Sequence, residues 1–152
     1  MFRTFMAGAV SAAAFTLSAP AFAQQDQLGT AVEAKAMLEK AVFAVKADKA
    51  KALLMFNKGE GGFKDRDLYP LCFNMGNGIV TAGPVAVLGK DVRTLKDATG
   101  KSFGEDLYNA PREGTAEVNQ MFPRPGADIT PVDKASFVAR AGDQGCGVGY
   151  YK

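Results

Sequence analysis

The stretch Gly145-Cys146-Gly147-Val148-Gly149-Tyr150-Tyr151 decides the fold. Glycine alternates there with larger residues at period two, the repeat of a β-strand, so one face of the strand is almost bare of side chains while Cys146, Val148 and Tyr150 crowd the other. A bare face invites close approach, and the expectation is that a helix lies against it.

Working back from this strand, Ala135 to Ala141 and Thr115 to Phe122 also read as strands, separated by the Gly142-Asp143 turn and the Pro123-Arg124-Pro125-Gly126 loop. Further upstream, Leu68 to Phe73 and Ile79-Val80-Thr81 flank the turn cluster Asn74-Met75-Gly76-Asn77-Gly78 and predict a β-hairpin. Gly83 to Gly100 reads as a long irregular connection, followed by a short helix capped by Ser102 and ended near Pro111.

The N-terminal third is helical. Thr30 and Glu33 form a capping box, and Ala34, Leu38, Ala41, Val42 and Val45 recur at helical spacing. Asp48 caps a second segment through Phe56, which the glycine-rich run Asn57 to Gly62 stops. Helices first, then strands, with one long crossing connection, predict an α+β domain. Its antiparallel sheet has the long N-terminal helix on one face and the connection on the other.

The first residues carry an address. Arg3 is followed by an uncharged run from Phe5 to Leu17 and by Ala21-Phe22-Ala23, the pattern of a secretory signal peptide cleaved after Ala23. The run of about 13 residues is shorter than the roughly 20 that span a bilayer as a helix, which argues against an anchor. The expected organisation is therefore a leader over residues 1–23 and one domain over residues 24–152, periplasmic or secreted, with no membrane span after cleavage.

Composition narrows the chemistry. Eighteen basic residues face 16 acidic ones, too even a balance for nucleic-acid binding. Lys49, Lys51, Lys58 and Lys64 are interspersed with Asp48, Glu60, Asp65 and Asp67, which reads as a solvated surface. The absence of histidine removes the commonest general base and metal ligand. Cys72 and Cys146 are an even pair in an oxidising compartment, where a disulfide is expected; two thiolates do not complete a tetrahedral metal shell. Closing that loop would stabilise by roughly 4 kcal/mol on a chain-entropy estimate. The bond requires the first and last strands to be neighbours. No metal, cofactor or catalytic residue is expected, since an enzyme would need one cysteine as a free, activated thiolate.

Several stretches together resemble single Cache domains: Met37-Leu38-Glu39-Lys40-Ala41-Val42, Gly61-Gly62-Phe63 with Asp67-Leu68-Tyr69, Gly89-Lys90-Asp91, Asp97-Ala98-Thr99-Gly100-Lys101, Lys134-Ala135-Ser136-Phe137-Val138 and Gly147-Val148-Gly149-Tyr150-Tyr151. The resemblance covers most of residues 30–152. It implies a PAS-like five-stranded antiparallel sheet in the order two, one, five, four, three, which places Cys72 beside Cys146. It also implies a small-molecule pocket over the sheet, an extracytoplasmic sensory role and a ligand that is often a carboxylate or an amine. The chain departs from the family pattern at Thr81-Ala82-Gly83, where a histidine is common, among Val118-Asn119-Gln120-Met121, where an aromatic is common, and at Phe137, where a tyrosine is common.

The candidate ligand-binding residues are Tyr69, Phe73, Asp97, Arg124, Lys134 and Phe137. Lys134 matches the family's strand lysine, an ammonium for an anionic ligand. Tyr69 and Phe73 share a strand face and would wall a pocket. Asp97, like Asp91, sits in the connection that would roof it, Arg124 is stiffened between prolines, and Arg140 shares strand parity with Lys134. Lacking transmembrane and output segments, the expected domain would act through a membrane-bound receptor or histidine kinase. The competing reading is a periplasmic protein-interaction or envelope structural module without a ligand pocket.

Overall fold

A computed structural model of the chain describes residues 28–112 and 114–152; the expected leader over residues 1–23 lies outside them. Helix α1, Ala31–Ala47, begins at the capping box read from the sequence. Glu33 N–H donates to Thr30 Oγ1 at 3.2 Å, and Thr30 N–H donates to Glu33 Oε2 at 2.8 Å. Ala34, Met37, Leu38, Ala41 and Val45 form its buried stripe. Asp48 is extended, which ends α1, and its carboxylate accepts from Lys51 N–H to start α2, Lys49–Lys58. Gly59 closes α2 in the left-handed region at φ 67°.

Strand β1, Pro70–Asn74, turns into β2, Val80–Ala82, through a turn in which Asn74 Oδ1 accepts from the N–H groups of Gly76 and Asn77. The crossing connection carries a 3₁₀ turn at Val92–Thr94 and helix α3, Gly104–Asn109. Strands β3, Ala116–Pro123, β4, Pro131–Ala141, and β5, Gln144–Tyr151, complete an antiparallel sheet in the order β2-β1-β5-β4-β3. This is the PAS-like α+β architecture and the strand order that the resemblance implies. Cys72 and Cys146 are directly opposed partners, bonded to each other, with Cα atoms 4.1 Å apart.

Four expectations are corrected. The bare face of β5 does not receive a helix: α1 packs on the other side, with Cys146, Val148 and Tyr150, while Gly147 and Gly149 floor a cavity. Ser102 does not cap α3. It pairs with Lys96 in an isolated bridge, and the helix starts after Phe103. Gly104 can begin α3 because it has no Cβ, which would stand 2.0 Å from Val92 O. Asp67 is not part of a solvated surface but is buried, with Oδ1 accepting from Gly29 N–H at 2.6 Å. The first strand begins at Pro70 rather than Leu68, because Leu68 turns back to bridge Asp65.

Two apolar clusters lie on opposite faces of the sheet. On the helix side, Leu38, Phe56, Phe63 and Leu68 pack over Cys72, Cys146 and Val148. On the other, Val92, Phe103 and Leu107 from the connection cover Phe73, Val80 and Val138.

Candidate functional site

The sheet's second face is not filled. Between it and the connection lies a cavity of about 340 Å³, within the range of small-molecule sites. Parity explains its floor: Tyr69, Leu71 and Phe73 of the β1 side, Lys134 and Ser136 of β4, and Gly147 and Gly149 of β5 all point the same way. Pro84, Val87, Leu95, Phe103 and Leu107 roof it, and Phe122 and Tyr151 close one end. Glycine at position 149 leaves room for the lysine, since a Cβ there would stand 2.8 Å from Lys134 Cε and 3.2 Å from Ser136 Oγ. The lysine lies across the strand in the space that the glycine leaves.

Lys134 is the enclosed cation of the cavity, and Lys96, the other lysine of its lining, is exposed. The Lys134 ammonium stands 4.8 Å from the Tyr151 ring centroid, 5.8 Å from Tyr69 and 6.0 Å from Phe122. Among the described residues it has no ion pair within 4.0 Å and no side-chain hydrogen bond. Burial pushes its pKa below the ordinary lysine value, the Asp67 carboxylate opposes that shift, and Lys64 adds to it. Burial and Asp67 together raise the Tyr69 phenol, and burial is the first cause of the rise at Tyr151. Tyr151 donates to Pro123 O at 2.6 Å, which fixes its ring at the cavity end.

Two further polar groups share the floor. Gln120, opposite Lys134 in the β3–β4 register, donates from Nε2 to Ser136 Oγ at 2.8 Å. Its Oε1 is buried with no hydrogen-bond partner. Among the described residues the other such atom is Asp67 Oδ2, outside the cavity lining, whose charge is felt by Lys134, Tyr69 and Tyr151.

The structure brings Tyr69, Phe73 and Lys134 together at one cavity and leaves the other three candidates outside its lining. Phe137 is on the helix side, stacked on Tyr150 with ring centroids 5.1 Å apart. Asp97 turns inward on its own loop, accepting from Thr99 N–H, Thr99 Oγ1 and Lys101 N–H with Oδ1 and from Met121 N–H with Oδ2. Arg124 is exposed in the loop after β3. Asp91 is likewise occupied by Arg93, and Arg140 donates to Gly142 O at 2.8 Å. Sequence reasoning missed Gln120 and Ser136. Ser136 lies two residues from Lys134 on the same strand face, which was the available signal.

No protein-family model and no curated protein matches the sequence. Solved structures do. The periplasmic sensor domain of a chemotaxis protein superposes with a TM-score of 0.61 at 21% identity, covering 88% of this chain and 99% of that one. A Cache chemosensory domain studied for carboxylic acid recognition gives 0.58 at 22% identity, covering 79% and 91%. A methyl-accepting chemotaxis protein from Vibrio parahaemolyticus gives 0.58 at 20% identity, covering 85% and 88%. At such identities the likeness is one of fold, and the fold of this chain is that of a single Cache domain.

Proposed function

We propose that the protein is an exported ligand-binding sensory domain of the Cache type, that its ligand is a small carboxylic acid, and that it passes its state to a separate membrane-bound receptor or histidine kinase. The observation that carries the reading is Lys134: a cation enclosed by aromatic rings, without an ion pair, in an open cavity. A carboxylate gives such an ammonium a charge-assisted hydrogen bond in a site of low dielectric. An amine ligand fits less well, because among the described residues no Asp or Glu lines the cavity to receive it. Carboxylic acid recognition by one Cache domain of the same fold adds support. The leader over residues 1–23 supplies the export signal. The reading as a pocketless interaction or envelope module is disfavoured by the cavity itself. Binding, rather than catalysis, suits a site whose polar groups form no nucleophile–base pair.

Thermal shift and calorimetry with short carboxylates, amines and amino acids test this. Carboxylates should raise the melting temperature by several degrees at saturating concentration. Lys134→Met should weaken them by roughly 10- to 100-fold, as loss of a charged hydrogen bond of about 1.5–3 kcal/mol requires. Amines binding as well as carboxylates, or carboxylates indifferent to Lys134→Met, would overturn the assignment.

A further inference from the structure

We propose that the outer side of the cavity roof docks on an anionic membrane surface, a property independent of what Lys134 binds. The roof begins with a single helical turn, in which the N–H groups of Val87 and Leu88 donate to Pro84 O at 3.0 and 3.1 Å. Residues three apart share a face in such a turn, so Pro84 and Val87 look into the cavity while Val85 and Leu88 look out. Val85 is 90% exposed and Leu88 41%. Helix α2 stands beside the turn, because Asn57 donates from Nδ2 to Thr81 O at 3.1 Å and its Oδ1 accepts from Gly83 N–H at 3.2 Å. One helical turn before Asn57, Leu54 is exposed as well.

The charges on these two segments are all of one sign. Lys51 and Lys58 flank Leu54 at helical spacing, and Lys90 follows the turn. All three are exposed and, among the described residues, none has an ion pair within 4.0 Å. Neither α2 nor the stretch from Gly78 to Lys90 contains an acid. Asp48 and Asp91, which adjoin them, are engaged in capping α2 and in holding Arg93. The other strongly exposed apolar side chains have acids beside them: Glu33 adjoins Val32, Glu39 lies one turn before Phe43, and Asp128 adjoins Ile129. An apolar tip rimmed by lysines suits a lipid interface, where the tip enters the headgroup region and the ammonium groups meet lipid phosphates. Three side chains are few for a protein partner, since a stable interface takes about 800 Å² from each side. Docked in this way, the domain would turn the roof of its cavity towards the bilayer.

Co-sedimentation with large unilamellar vesicles tests the docking, using residues 24–152, which carry the whole described fold without the apolar run of the leader. Phosphatidylcholine vesicles containing about 30% phosphatidylglycerol should bind the protein roughly fivefold or more better than phosphatidylcholine alone, and added salt should release it. Lys58→Glu combined with Lys90→Glu should weaken that binding about tenfold, by reversing two charges at the surface. Val85→Ser should weaken it severalfold with an unchanged melting temperature, because the side chain is exposed in the free protein. Ile129→Ser, an exposed apolar site elsewhere, should leave it as in the wild type. Equal binding to both vesicles, binding that survives Val85→Ser, or an equal loss in Ile129→Ser overturns the proposal. Failure to bind either vesicle overturns it in favour of a protein partner for the same turn.

Discussion

Lys134 pairs a charge with an apolar enclosure, and on the proposed reading its titration is coupled to occupancy. Burial lowers the pKa of the free site, whereas a bound carboxylate favours the protonated form and raises it again. Carboxylate affinity should therefore be constant below the free-site pKa and fall as pH rises through it, at lower pH than for an exposed lysine. Binding in that range should take up a proton, visible as a dependence of the calorimetric heat on buffer ionisation. An affinity that stays flat into strongly alkaline solution would contradict the role. Gly149 offers a second check: the atom a new Cβ meets first is Lys134 Cε at 2.8 Å, the far part of a flexible side chain. Gly149→Ala should leave the melting temperature within a few degrees of wild type and weaken carboxylate binding at least severalfold. At this scale the site was partly legible. Tyr69 and Phe73 follow from strand parity and Lys134 from the family resemblance, and parity also separates Phe137 from Lys134, because residues three apart in a strand face opposite ways. Asp97 was ambiguous, since a loop aspartate serves its own backbone as readily as a ligand. Gln120 could not be recognised, because an orphaned oxygen is a property of its surroundings.

The elements differ in how much of them is local. The capping box of α1 and the Asn74 turn were readable because their determinants lie within four residues of each other. Glu33 extends the box: Oε1 also meets Arg66 Nη2 at 2.7 Å, and Arg66 Nη1 donates to Leu28 O at 3.0 Å. Hydrogen bonds from Thr30 and Arg66 hold the Glu33 carboxyl at about 2. A depressed carboxylate pKa contributes stability above the unfolded value and loses it as pH falls towards the folded one. The wild type should accordingly lose stability from about pH 4.5 down to about 2. Glu33→Gln should be less stable at pH 7 and show a shallower acid decline in denaturant titrations; parallel curves would exclude the linkage. The staple between β1 and β5 is the non-local counterpart. Replacing Cys72 and Cys146 together by alanine should cost roughly 4 kcal/mol by the chain-entropy estimate for a loop of 74 residues. What failed at this scale depended on remote partners. Ser102 is drawn into a bridge with Lys96, and the bare face of β5 faces a cavity because α1 covers the face bearing side chains.

Across the whole molecule the sheet separates two kinds of packing. Leu38 and Phe56 belong to the helix side, where burial is nearly complete, and Leu95 lines the cavity. Leu38→Ala should cost about 2–5 kcal/mol in denaturant unfolding and leave carboxylate affinity within twofold. Leu95→Ala, already partly exposed, should cost less stability and alter affinity for acids with longer tails. A Leu38→Ala protein that still folds but has lost binding would show that the two faces are coupled. The glycines of β5 give that partition a further meaning. A strand whose one side anchors the core and whose other side is nearly blank lets recognition be rewritten without rewriting the fold. Sites far apart and without shared partners contribute independently, so on the proposed reading substitutions around the cavity redirect selectivity from one acid to another while the helix-side cluster keeps the chain folded. On the proposed reading, the adaptability of the scaffold begins in the side chains that Gly147 and Gly149 do not have.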